Sequence, residues 1–386
     1  GATSLIVNGA TTVNSSYNNG VTTTVNLDFS QTNNAAPLTL NYFDVGTISL
    51  HFIKTDVNAA NVGNGVTLQG ASNVFRIDPY AFSVKACTTL TGGKCTAANT
   101  SPVDGTGAKF IAAGIPFNAT IAAVRCMEGS PAGCVCDPTS ATKCATGGDT
   151  PSYGKADATN AALERVVLSR TLVAPVPGSS GNLKGTGATT DLFRSAFTDG
   201  TATVTDLTWD EVGVITLTAH ATGFMGATLT TTGTSGNVGR FVPHHFDTVV
   251  EGTMPCATGQ VCPASVNPMV YSGQTLAKTT VTAKNAIATV VSGLTTYGTT
   301  SNYKYVSPTV SFAKGITLSA VDASTGNTTV GGGTLGGTLT LPATSFTGTG
   351  SGVLTAAADN TGTAKFTLTA SATPSPVNFY IHAVES

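Results

Sequence analysis

The chain has 386 residues, a net charge of -2 and only 10% charged side chains. So weak a field excludes electrostatic capture of nucleic acid or anionic lipid, and no eighteen-residue apolar run is present to form a membrane-spanning helix. Apolar residues reach 41% and alternate in phase over many segments, which argues against a disordered chain and provides for several cores.

Alternating Thr, Val, Ala and Leu between Gly and Asn turns predicts short strands throughout. In a first module, residues 1–73, the expected strands are Ser4–Val7, Val21–Phe29, Leu38–Phe43, Thr47–Ile53 and Val66–Leu68. A second module, residues 74–239, has Phe82–Ala86, Phe117–Arg125, Arg165–Val173, Ala202–Leu207 and Val214–Ala219. A third, residues 240–386, has Phe246–Val250, Leu276–Ala283, Tyr303–Phe312, Ile316–Ala320, Gly337–Leu341, Lys365–Ala370 and Val377–Ala383. The best helical candidate is Asp157–Arg170, whose Val166-Val167-Leu168 reads equally well as a strand. The fold class expected is all-β: tandem immunoglobulin-like β-sandwich modules with a disulfide-rich loop insertion in the second, at about 126–153.

These divisions rest on a repeat. Arg76-Ile-Asp-Pro79-Tyr-Ala-Phe82 recurs as Arg240-Phe-Val-Pro243-His-His-Phe246. Upstream of each lies a second shared motif, Val45-Gly46-Thr-Ile48-Ser-Leu50 and Val212-Gly213-Val-Ile215-Thr-Leu217. Two motifs repeating in one order mean a repeated module and a repeated junction. Proline fixes φ and removes a donor, so Pro79 and Pro243 would end one strand and stiffen the crossing into the next module. Phe82 and Phe246 would anchor the new core, and the stems of Arg76 and Arg240 would pack over the interface. The plainer alternative is that both motifs are solvent-facing strand ends. Modules two and three also share a Gly-x-x-apolar entry to a long strand, Gly114-Ile-Pro-Phe117 and Gly273-Gln-Thr-Leu276.

The eight cysteines cluster locally. Cys87 lies near Cys95, Cys256 near Cys262, and Cys126, Cys134, Cys136 and Cys144 form one run. Zinc would need four thiolates around one ion, and the central C-x-C spacing suits a tetrahedron poorly. Disulfides in an oxidising compartment fit better: Cys87–Cys95, Cys256–Cys262 and two within the run, Cys126–Cys134 with Cys136–Cys144 preferred.

Catalytic constellations are thin. His51, His220 and His382 fall in strand alternations. His244 and His245 are adjacent on an expected strand, where neighbouring side chains point to opposite faces and cannot easily share a metal. Asp206-Leu-Thr-Trp209-Asp210-Glu211 invites a glycosidase reading, but Asp44 stands before the Val-Gly motif in module one where Glu211 stands here. A repeated acid before a glycine turn is structural first. Asp359-Asn360-Thr361-Gly362 lacks the other ligands of a calcium loop, and Asn118-Ala-Thr120, a glycosylation triplet, falls inside a predicted strand. No cofactor or enzyme motif is visible, so no enzymatic activity is expected.

Asp210-Glu-Val-Gly213-Val-Ile-Thr-Leu217, Ser235-Gly-Asn-Val-Gly239-Arg-Phe-Val-Pro243-His-His-Phe246-Asp, Tyr271-Ser-Gly-Gln274, Val281-Thr-Ala-Lys-Asn285, Asn302-Tyr303 and Phe312-Ala occur in this order. Together they resemble the large shared region of MshQ-like proteins, associated with biogenesis of the mannose-sensitive haemagglutinin, a type IV pilus of Gram-negative bacteria. The resemblance runs from about Asp44 onward. It implies a non-enzymatic structural or adhesive component of a cell-surface or pilus-associated appendage, exported through the periplasm to the outside of the cell. The start at Gly1 and the end near His382 fit an internal fragment or a processed form of such a protein. The implied partners are other surface or pilus proteins, or further copies of the chain. Two alternatives stand beside it. One is a filament subunit assembled by strand exchange, with the Thr/Asn-rich start before Val21 as the arm. The other is a carbohydrate-binding module array using Trp209, Tyr297, Tyr303 and Tyr305.

Overall fold

A computed structural model describes residues 4–7, 11–14, 27, 36, 38, 40–55, 67–96, 103–125, 148–155, 164–185, 190–193, 196–251, 278–306, 311–322, 325–326, 329–330, 333–336, 338–355, 367–369 and 379–385. Among these the fold is all-β, with short 3-10 turns and no α-helix. The strand expected at Val21–Phe29 (Leu27 apart), most of the cysteine-rich insertion, Asp359–Gly362 and Cys256–Cys262 lie outside the described residues.

The middle of the chain folds as two facing sheets. One holds Ala81–Cys87, Phe117–Val124, Thr201–Trp209 and Leu183–Lys184, with Phe117–Val124 and Thr201–Trp209 at its centre. The other is built around Arg165–Ala174, Gly213–Ala221 and Val238–Val242. Their inner faces alternate as a half-buried strand must: Phe82, Val84 and Ala86 point inward on one strand, and Ile215, Leu217, Ala219 and Ala221 on another. The core between them is aromatic. Phe241 packs edge-on against Trp209, Phe110 and Phe117, with ring centres 4.9 to 5.5 Å away.

The third module repeats this plan. His245–Glu251 pairs with Lys278–Val291, which pairs with Ser351–Thr355, and Ile316–Asp322 pairs with Thr338–Leu341 and Phe379–Glu385. Module two puts Phe82 opposite Ala123 across its first strand pair, and module three puts Phe246 opposite Ala283. Thr150 N–H donates to the Ala123 carbonyl at 2.9 Å, and Thr300 N–H to the Ala283 carbonyl at 3.1 Å. Each threonine opens a tight turn to a buried tyrosine, Tyr153 or Tyr303. Each tyrosine sits edge-on to two phenylalanines: Phe82 and Phe197 in module two, Phe246 and Phe346 in module three.

Several expectations need correction. The described parts of Tyr303–Phe312, residues 303–306 and 311–312, are not strand: Ser301–Lys304 is a 3-10 turn that sinks the Tyr303 ring into the core. The strand-like composition there reflects the buried aromatics Tyr303 and Phe312 rather than an extended face. Thr47–Ile53 divides into Gly46–Ile48 and His51–Thr55. The described part of the helical candidate Asp157–Arg170 is strand from Arg165 onward, because β-branched Val166 and Val167 suit an extended half-buried backbone. The disulfide Cys87–Cys95 is present, with a sequence separation of 8. The other six cysteines, Cys126, Cys134, Cys136, Cys144, Cys256 and Cys262, lie outside the described residues.

The repeated turn depends on one glycine in each module. Gly200 and Gly350 have φ of +75° and +78°, and a Cβ would stand 2.2 Å from the Thr150 carbonyl oxygen and 2.1 Å from that of Thr300. Alanine at either position should cost about 1–3 kcal/mol in backbone strain alone, and more from the clash. Urea denaturation of Gly200→Ala and Gly350→Ala should show both losses; a neutral result at either would mean that the turn can shift aside.

Candidate functional site: the inter-module junction

The junction is assembled by two backbone segments that meet as a short antiparallel pair. Gly46–Ile48 pairs with Phe75–Ile77, and the start of Gly213–Ala221 pairs with Val238–Val242. Gly46 faces Ile77 and Gly213 faces Phe241, so the two motifs found in the sequence lie side by side in both copies. Gly46 and Gly213 have φ of +136° and +144°, a region that side chains rarely enter. The preceding acid and valine are buried in the next module, while the motif itself continues as a strand.

Those two residues make the crossing. Val45 is buried in the core of module two, and Val212 in the core of module three beside Tyr303, Phe312 and Ile316. Asp44 is 2% exposed and Glu211 4%. The Asp44 carboxylate accepts the Val45 N–H and, from the tyrosine turn of module two, the Ser152 N–H, both at 2.9 Å. The Glu211 carboxylate does the same with more partners. Its Oε1 accepts the Val212 N–H at 2.8 Å and the Asn302 N–H at 3.1 Å; its Oε2 accepts the Ser301 N–H at 2.9 Å and the Ser301 hydroxyl at 2.7 Å. Each acid thus satisfies orphan donors of the next module's tyrosine turn. Burial pushes the Glu211 carboxyl above its ordinary value, opposed in part by these four donors.

More bonds surround the second junction. The Asn302 side chain donates to the carbonyls of Ser179 and Val212, both at 2.9 Å, and accepts the Ser179 N–H. Asn285 donates to the Asp210 carbonyl at 2.8 Å, and Ala286 N–H to that of Ala113.

The motif residues named from the sequence are placed as follows. Phe82 is 2% exposed in the core of module two. Phe246 is half-buried against the core of module three. Pro79 is buried and Pro243 half-buried, each between the junction strand and the next module's first strand. The Arg76 guanidinium bonds Asp78 and reaches the Phe224 carbonyl at 3.4 Å; Arg240 Nε donates to the Gly107 carbonyl at 2.9 Å. The arginines therefore act through their heads, on module-two loops.

Two expectations change. His244 and His245 do not point apart: their Nδ1 atoms are 2.9 Å from each other. The strand begins only at His245, so the alternation of an extended chain does not include His244. Among the described residues no three His, Cys, Asp or Glu side chains converge as a metal site. Two of the four aromatics proposed for a sugar platform are not at the surface. Trp209 and Tyr303 are fully buried, with Trp209 Nε1 donating to the Ser180 carbonyl. Asp210 accepts the backbone and side-chain N–H groups of Asn182. The acidic group beside Trp209 is thus bonded to loop and neighbouring module. Asn118 Nδ2 donates to the Thr88 carbonyl at 3.1 Å from within its strand.

Sequence reasoning placed Asp44 and Glu211 at equivalent positions but missed their acceptors, Ser152 and Ser301-Asn302. A signal existed: Thr150-x-x-Tyr153 and Thr300-x-x-Tyr303 are the same motif.

Comparison with known families bears on this seam. Residues 78–205 match the second domain of DUF6701, and residues 211–383 match its third domain. The matches are consecutive domains of one family, in the family's order. No curated protein and no solved structure matches the chain. The third-domain match begins at Glu211, the residue whose side chain is bonded into module three.

Two outcomes follow. Phe82→Ala should cost about 3–5 kcal/mol, as for an enclosed aromatic, and Phe246→Ala distinctly less because its ring is only half-buried; equilibrium denaturation measures the difference. Glu211→Ala should cost about 2–5 kcal/mol by leaving buried donors without an acceptor. Glu211→Gln separates out the charge. A folded-state value above the unfolded one means that this carboxyl's stabilising term is complete below the unfolded value and is lost as pH rises through the folded value. The stability of the native chain relative to Glu211→Gln should therefore fall as pH rises from about 4.5 and then level off. A rise over that range would show that the hydrogen bonds outweigh burial.

Proposed function

We propose that this chain is a non-enzymatic structural or adhesive component of a bacterial cell-surface or pilus-associated appendage, as its resemblance to MshQ-like proteins implies. One observation carries the reading: successive modules are joined through buried carboxylates and valines, not through an exposed linker. Such joints suit a part that holds position and transmits load. Interfaces of this kind oppose the relative domain motion that a polar linker allows. The disulfide Cys87–Cys95 suits an oxidising compartment outside the cytosol. A weakly charged, Thr-rich surface suits contact with other surface proteins better than with nucleic acid.

Immunogold labelling of intact cells that produce the protein tests location, with gold expected on the surface or along appendages. Gold confined to the cytoplasm would overturn the proposal. Solution scattering tests the joint. The native chain should fit one arrangement of modules two and three, and Glu211→Ala should broaden it into an ensemble.

A further inference from the structure

The register of module two places its two chain connections at opposite ends. The entering strand, Ala81–Cys87, starts with Ala81 opposite Val124 and ends with Cys87 opposite Asn118. The other end of Phe117–Val124 lies at the second junction. There Phe117 is opposite Leu207, Gly114 N–H donates to the Trp209 carbonyl at 2.7 Å, and both Phe117 and Trp209 pack on Phe241. Phe241 belongs to Val238–Val242, the strand that leaves for module three through Pro243. Tension between the neighbouring modules therefore pulls Ala81 and Val242 apart along the strands, across the roughly 25 Å that the 8 residues of Phe117–Val124 span.

The leaving strand is held on both sides. On one side Val238, Gly239 and Phe241 are opposite Ile215, Val214 and Gly213 in an antiparallel pair. On the other, Phe241 and Val242 are opposite Ile111 and Ala112 in a parallel pair. Phe110 N–H donates to the Arg240 carbonyl at 2.9 Å, Ala113 N–H to the Val242 carbonyl at 2.8 Å, and Arg240 Nε to the Gly107 carbonyl at 2.9 Å. Main-chain bonds of this kind lie across the strand, and Val242 is where the load enters. Pulled lengthwise, they are sheared together; a strand peeled from its end would lose them one by one. Phe241 is fully buried, so sliding also drags a ring through the aromatic core.

The entering strand is secured in the same sense. All 7 of its residues are in register with Phe117–Val124. Its far end is tied by the Cys87–Cys95 disulfide to a turn whose Cys95 N–H donates to the Thr120 hydroxyl oxygen at 2.9 Å. Asn118 Nδ2 donates to the Thr88 carbonyl beside it. The bridge thus fastens the strand to the partner it would have to slide past.

We propose that module two is a shear clamp, a part whose function is to stay closed under tension along the chain. The clamp consists of Val238–Val242 held between Ile111–Ala112 and the start of Gly213–Ala221. It continues into module three, because Ala113 gives its N–H to Val242 and takes the Ala286 N–H on its carbonyl. Forced opening is governed by the unfolding barrier, and shear puts several bonds into the step that crosses it where peeling puts one. A clamp of this kind deepens the load-transmitting reading and rests on it for its purpose. Force measurements and immunogold labelling separate the two: a weak clamp leaves the surface location standing, and a cytoplasmic location leaves the clamp without its purpose.

Optical tweezers acting on the full chain test it. With p-azidophenylalanine handles in place of Tyr80 and His244, both exposed, the load runs along the strands. With handles in place of Val176 and His244 it enters and leaves at the second junction, because exposed Val176 follows Ala174, which is opposite Val214. At one fixed force the lifetime of module two should be about tenfold longer along the first axis, the effect of one or two extra hydrogen bonds in the barrier. Ala113→Pro removes the donor to the Val242 carbonyl and should shrink that ratio about threefold to tenfold. Leu168→Ala, opposite Ala219 and away from the clamp, should lower equilibrium stability and leave the ratio unchanged. Equal lifetimes along the two axes overturn the proposal, and so does a ratio that Ala113→Pro leaves unchanged. Should Ala113→Pro fail to fold, the two axes of the otherwise unaltered chain still decide.

Discussion

The arrangement of these modules depends on a carboxylate that leaves one module and is buried in the next. Asp44 and Glu211 each belong by sequence to the end of one repeat, yet each oxygen bond that crosses the junction goes to the tyrosine turn of the following one. A buried carboxylate is tolerated only where donors surround it, and backbone N–H groups at a tight turn are donors that cannot swing away. The acid, the turn and the tyrosine therefore require each other. Shifting any one by an ångström would strand a buried charge or several buried N–H groups.

The glycines that follow make this possible. Gly46 and Gly213 turn the backbone so that acid and valine point into the next core while the chain continues as a strand of its own sheet. The returning strand then passes beside the glycine and through proline into the next module's first strand. The connection is thus crossed twice in opposite directions, once by side chains and once by backbone. Two crossings fix an orientation where one would act as a hinge. The same seam holds Trp209 and Glu211 inward, with Trp209 Nε1 bonded to the Ser180 carbonyl.

The sequence by itself determined the all-β class, because alternation of small apolar and hydroxyl residues with period two admits little else. It also determined the repeat, since Val-Gly-x-Ile and Arg-x-x-Pro-x-x-Phe return in order, and it marked the equivalence of Asp44 and Glu211. Only the tertiary structure decided where those acids bond, because Ser152 and Asn302 lie far along the chain and are joined to them by no local pattern. It likewise decided that Tyr303 sits in a turn and not in a strand. A single aromatic buried by a 3-10 turn has the composition of a strand without its periodicity, and only packing against Phe246 and Phe346 distinguishes the two.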